Sequence, residues 1–182
     1  MATFEIPGEL NEPLQFVDLA PTHRDSFRIR KGEVLARKER LPKGSELWKL
    51  GTGHLRGEVS AFWCRGSLLQ ELRERFSRLE NPEIGFAQFI RARMAVKHEW
   101  SGMTHLHRVE LRVAAHAWVG PTRAQREPRD PTSGEMLRSP DGGGFSSTNL
   151  SWIGGDEQIV IPNLTLAHLK LLESARLPVA AP

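Results

Sequence analysis

"MTHLHRVELRVAAHAWVG", residues 103–120, alternates with a period of two. Val109, Leu111, Val113, Ala115 and Ala117 point one way, while Arg108, Glu110, Arg112 and His116 point the other. A strand sends successive side chains to opposite faces, so this segment reads as a long half-buried strand, bent near its alanines. Upstream, "GSELWKLG" (44–51) and "GEVSAFWC" (57–64) are shorter strand segments rich in β-formers. Two helical patterns separate them from the long strand. In the first, Ser67 and Gln70 have capping-box spacing, and Leu68, Leu69, Leu72, Phe76 and Leu79 form one apolar stripe. Glu71 with Arg75 and Glu74 with Arg78 make i,i+4 pairs on its wet side. In the second, Asn81 and Pro82 read as N-cap and N1, Ile84, Phe86, Phe89, Ile90 and Met94 supply the buried face, and Ser101-Gly102 closes the region.

Downstream, residues 145–152 and 157–161 read as two short strands, and 165–176 as a final helix. Strands and helices are grouped rather than alternating as βαβ units. The expected class is therefore α+β, a mostly antiparallel twisted sheet with two central helices and a C-terminal helix. Residues 1–40 read as an N-terminal extension, loop-rich through Pro7, Pro13 and Pro21 and basic at its end, which wraps over a core. Residues 41–178 form a single α+β domain. Residues 120–144 make a connection too long to be a simple turn, which points to a functional or mobile loop.

Bulk composition narrows the class of function. No apolar run approaches the roughly 20 residues of a membrane-spanning helix, so no membrane association is expected. The N-terminus carries acidic residues where a signal peptide needs a basic and then an apolar region, so the expected location is the cytoplasm, or delivery by a route independent of a signal peptide. Cys64 is the single cysteine, which rules out an internal disulfide or a multi-cysteine zinc site. The formal net charge is +3, and the basic residues are densest in "RIRKGEVLARKER", Arg28–Arg40. That run could follow nucleic-acid phosphates. Acidic residues interrupt it and no aromatic is interleaved for base stacking, so a solvated basic edge is the favoured reading.

Several residues invite chemical readings. His105 and His107 share the apolar face of the long strand; with no third ligand nearby they read as a hydrogen-bonded pair, and no metal is expected. Cys64 has no local base and reads as a buried thiol. "DGGGFSSTNLS" (141–151) lacks the Gly-Lys-Ser/Thr ending of a phosphate loop. Five tryptophans stand beside a complete lack of tyrosine; core packing is their default role, with stacking on a flat ring as the alternative.

"WIGGDEQIVIPNLT", residues 152–165, raises a sharper question, because Asp156, Glu157 and Gln158 sit at the mouth of a β-branched run. Alternation puts Gln158, Val160 and Pro162 on one face and Glu157, Ile159 and Ile161 on the other, more apolar one. An ionised Glu157 would then either cap the strand end or be costly to bury, whereas neutral Gln158 is cheaper to place at the floor of a cleft.

Read together, "SELWKLG" (45–51), "HRVELRVAAHAWVGPTRAQ" (107–125), the "SST" of 146–148 and "GGDEQIVIP" (154–162) resemble the core strands of ADP-ribosyltransferase-like domains, in particular toxin-type members and NAD glycohydrolases. The resemblance implies an NAD-consuming toxin or effector that hydrolyses NAD or transfers ADP-ribose. It implies Gln158 or Glu157 as the catalytic residue. Lys49 would stand where a basic residue meets the NAD phosphates, Trp63 or another strand aromatic would stack on nicotinamide, and Ser60 and Gln125 would make further contacts. NAD is then the substrate, and a neutralising immunity protein the implied partner. Two other functions stand beside it: a nucleic-acid or protein-binding module using Arg28–Arg40, and an RNA-cleaving toxin using His98, His105 or His116 as acid and base.

Overall fold

The computed structural model describes residues 9–55, 59–79, 85–96, 101–125 and 154–177. A 3-10 turn (Phe16–Asp18) and a short helix α1 (Pro21–Arg24) lead into strands β1 (Ile29–Arg30), β2 (Glu33–Val34), β3 (Arg37–Leu41), β4 (Glu46–Gly51) and β5 (Phe62–Arg65). Helices α2 (Gly66–Ser77) and α3 (Phe86–Met94) follow, then β6 (His105–Leu111), β7 (Ala115–Pro121), β8 (Glu157–Val160), a second 3-10 turn (Leu166–His168) and β9 (Leu169–Arg176). The class is α+β, and the strands pair antiparallel throughout their ladders.

Seven strands form one sheet in the order β3-β7-β8-β5-β4-β6-β9. β6 and β7 are joined by only Arg112–Ala114, yet β8, β5 and β4 lie between them in the sheet. A connection that short can span those intervening strands only if the sheet curls over on itself. The two halves, β3-β7-β8-β5 and β5-β4-β6-β9, therefore face each other. Leu41, Leu47, Trp63, Val109, Leu111, Ala117, Val119, Ile159 and Leu169, drawn from all seven strands, fill the space between them. The bend expected near the alanines is this corner, and the period of two survives on both sides of it: Val109, Leu111, Ala115 and Ala117 are all buried in the same core.

The outer faces are covered separately. α2 and α3 pack Leu69, Leu72, Ile90 and Met94 against Trp48, Cys64 and Leu106. The N-terminal segment packs Leu19 and Phe27 against Trp118 and Val160. That segment is also stitched down by polar contacts. Asn11 Nδ2 donates to the Pro162 carbonyl at 2.6 Å, and Lys38 Nζ donates to the carbonyls of Glu12 and Leu14. β1 and β2 form a tight hairpin whose turn, Lys31-Gly32, has positive φ at both residues, as a type I′ hairpin turn requires.

Three local expectations are corrected. The C-terminal helix over 165–176 is instead the 3-10 turn and β9, an edge strand that pairs with β6 along its whole length. Its Leu, Lys, Glu and Ala residues suit a helix in isolation, but β6 presents a row of backbone groups that only a strand can satisfy. The capping box at Ser67 and Gln70 is not formed: α2 begins at Gly66, and Gln70 donates instead to Glu74 at 3.0 Å. α3 ends at Met94, where Ala95 turns into the left-handed region at φ 50°, rather than at Ser101-Gly102. The i,i+4 pairs Glu71–Arg75 and Glu74–Arg78 are present. Asn81, Pro82, Ile84, His98, the strand expected over 145–152 and most of the 120–144 connection lie outside the described residues.

Candidate active site

The polar triplet at the start of β8 is sent in three directions. Gly154 and Gly155 make the approach at φ 60° and 103°, and a Cβ on Gly154 would lie 2.8 Å from the Thr122 carbonyl oxygen, so only glycine fits there. Asp156, 7% exposed, accepts hydrogen bonds from Arg93 at 2.6 and 3.0 Å and from Arg75 at 3.0 Å. It thereby ties α2 and α3 to the start of β8. Glu157 caps the strand end: it accepts from Arg37 and Arg65, each at 3.0 Å, within a partly exposed network that includes Glu39. Gln158 is buried, and its Nε2 donates to the Ser26 carbonyl at 2.9 Å and to Ser26 Oγ at 2.8 Å. A carbonyl oxygen can only accept, so the amide nitrogen must face Ser26. The Gln158 Oε1 acceptor is left with no partner among the described residues.

Gln158 borders a cavity of about 1010 Å³. Its origin lies in the sheet. β4 and β5 share only two register pairs, Leu47↔Arg65 and Trp48↔Cys64, and the cavity is lined from the second pair outward, by residues 48–52 on one side and by Ser60, Phe62, Trp63 and Cys64 on the other. The end of α3, Thr22, Asp25 and Ser26 in and just after α1, Ser101 and Met103, and residues 122–125 after β7 complete the wall. Gln158, Lys49, Ser60, Trp63 and Gln125 all line this one space; Glu157 does not.

Lys49 is the strongly perturbed cation of the cavity. Burial lowers its ammonium from the usual 10.5 to about 8. Among the described residues it has no carboxylate or hydrogen-bond partner, and its Nζ lies 5.2 Å above the centre of the Trp63 ring. Trp63 is 1% exposed and donates its Nε1–H to the Ser60 carbonyl at 2.9 Å. The ring thus seats Lys49 and offers little free face to a ligand; Phe62, partly exposed on the same wall, is the more available aromatic. Asp25, Ser26 and Arg123 also line the cavity and were not anticipated from the sequence. Ser26 meets Gln158 across 132 residues of chain, and no local pattern marks such a pairing.

Other candidate groups are engaged elsewhere. His107 uses both ring nitrogens, with Gly53 O at 2.9 Å and Ser174 Oγ at 3.0 Å, and stacks on His105; burial lowers its basicity. His105 bonds Thr104 Oγ1, while His116 pairs with Glu9, and no contact joins the two histidines among the described residues. Cys64 lies 3.9 Å from the Met94 sulfur, and burial pushes its thiol pKa far up, so little thiolate forms. In the basic run, Arg37 pairs with Glu39 and Glu157, Arg40 with Glu9, and Lys38 with backbone carbonyls. No helix among the described residues is long and apolar enough to cross a membrane.

No family model matches the chain, and no curated protein matches it. Two solved structures are similar in fold outline. One is described as Rhs1-CT in complex with cognate immunity protein RhsI1, at 13% identity and a TM-score of 0.45, covering 79% of this chain and 83% of that one. The other is described as Tne2 in complex with Tni2, at 13% identity and a TM-score of 0.41, covering 79% of this chain and 93% of that one. Likenesses at this level carry no function over to this chain, whose chemistry rests on the cavity described above.

Proposed function

We propose that this chain is an NAD-consuming toxin or effector domain of the ADP-ribosyltransferase-like type, acting chiefly by hydrolysis of NAD. One observation supports the reading above the others. Lys49, Ser60, Trp63, Gln125 and Gln158 are scattered along the chain, yet they line a single cavity large enough for a dinucleotide.

In this reading the dinucleotide lies along the gap between β4 and β5. Lys49, largely buried and without a carboxylate partner among the described residues, meets a phosphate, whose charge compensates the burial of the ammonium. Lysine supplies a point charge there rather than the bidentate fork of an arginine. Gln158 Oε1 accepts from a ribose hydroxyl, and its amide is held still by the two bonds to Ser26. Breaking the nicotinamide–ribose bond develops positive charge on the sugar, and a fixed acceptor dipole beside it favours the transition state. Phe62 borders the space for the nicotinamide ring, and Ser60 and Gln125 contact the remainder. A domain of this activity requires a neutralising protein in the cell that makes it.

The test is NAD consumption by purified protein. Wild type depletes NAD, Gln158→Ala slows this about 100-fold, and Glu157→Ala, which only loosens the external charge network, slows it far less. Wild type that leaves NAD intact, with no NAD-dependent rise in melting temperature, refutes the reading.

A further inference from the structure

We infer that Asp25 is a further catalytic residue of this site, the carboxylate that β8 itself does not present to the cavity. The inference rests on the NAD reading above. Two carboxylates adjoin Gln158 in sequence, and neither is available to a substrate: Asp156 is bound by Arg75 and Arg93, and Glu157 by Arg37 and Arg65. Gln158 cannot carry charge. Among the described residues lining the cavity, the charged groups are Lys49, Arg123 and Asp25, so Asp25 is the sole anion there.

Its placement is defined. Asp25 ends α1, where its backbone N–H donates to the Pro21 carbonyl at 2.8 Å. It directly precedes Ser26, whose carbonyl and hydroxyl both hold the Gln158 amide. One residue of chain and one pair of hydrogen bonds therefore link the carboxylate to the acceptor that receives the ribose. The carboxylate has no hydrogen-bond or ion-pair partner among the described residues, and Asp25 is exposed, so water reaches it. The charge pattern of the wall, two cations and one anion, complements a dinucleotide whose pyrophosphate is doubly negative and whose pyridinium is positive.

The step balances. Water oxygen bonds to the anomeric carbon as the carbon–nitrogen bond breaks. The electron pair of that bond passes to the ring nitrogen, which leaves as neutral nicotinamide. Asp25 accepts the water proton and returns it to solvent, so NAD and water give ADP-ribose, nicotinamide and a proton.

The experiment compares wild type with Asp25→Asn and Asp25→Glu in full-length protein, measuring NAD hydrolysis and the binding of NAD, NADH and ADP-ribose by calorimetry. Asp25→Asn lowers kcat about 100-fold with a smaller change in KM, and Asp25→Glu recovers part of it. Wild type prefers NAD over NADH, whose nicotinamide is uncharged, and Asp25→Asn removes that preference while leaving ADP-ribose affinity unchanged. Asp25→Asn with kcat within about threefold of wild type overturns the inference, as does an equal loss of ADP-ribose binding, which marks a structural role. Wild type that consumes no NAD overturns the enzymatic reading and this one together; an active wild type with an equally active Asp25→Asn overturns this one alone.

Discussion

Replacing Asp156 by Asn tests whether the start of β8 is locked to the helices by charge. Asp156 is 7% exposed and accepts three hydrogen bonds, from Arg93 at 2.6 and 3.0 Å and from Arg75 at 3.0 Å. Removing one partner of a fully buried ion pair costs about 3–5 kcal/mol, because the other charge is stranded. Here the arginines are not fully stranded: their side chains are 44% and 30% exposed and can take up water. Asparagine also keeps one carbonyl acceptor in the same shape. The expected loss is therefore about 2 kcal/mol, or roughly 4–8 °C in melting temperature for a chain of this size. Urea unfolding followed by circular dichroism, with an unchanged m-value, measures it. Glu157→Gln is the internal control: its network is partly exposed, and the loss stays below about 1 kcal/mol. A cycle adding Arg93→Gln to Asp156→Asn returns a coupling of about 1 kcal/mol or more. A loss under about 0.5 kcal/mol for Asp156→Asn refutes the lock.

Lys49→Met is expected to stabilise the free protein at pH 7 by about 2 kcal/mol, since burial lowers its folded pKa from 10.5 to about 8. Between pH 8 and 10.5 the unfolded chain holds this proton and the folded one does not, so wild-type stability rises with pH and its gap to Lys49→Met closes; melting curves across that range check it. Gly120→Ala places a Cβ only 2.0 Å from the Leu35 carbonyl oxygen, a backbone clash that forces the crossing of 35–36 over β7 apart. The expected loss is about 3 kcal/mol, read by the same denaturation, and a near-neutral result refutes the close crossing.

The inner core was legible because it needed only alternation. Val109, Leu111, Ala115 and Ala117 keep one parity straight through the corner, so the same evenness hid the corner itself: Arg112–Ala114 carry no glycine or proline to announce a change of sheet half. β9 was hidden for a related reason. An edge strand has a partner on one side only, and Leu171 and Leu172 are both exposed, which blurs the period that would distinguish it from a helix. At the cavity, Gln158 was legible from its face and from the two glycines before it. The reason Asp156 and Glu157 are polar was not: their arginines come from α2, α3, β3 and β5, and a linear sequence does not say which cations converge. Asp25 and Arg123 sit in loops of ordinary composition, and only the fold brings them to the same wall.

The place of β8 in the sheet also sets an order of assembly. β3 with β7 and β4 with β6 pair among residues 37–121, but β8, at 157–160, is the strand between β7 and β5 that closes one half onto the other. A nascent chain can therefore form two separate ladders first, and they become one body only when residues 157–160 pair with both. Gln158 is carried by that closing strand, so the cavity and the joining of the two ladders are completed in one step.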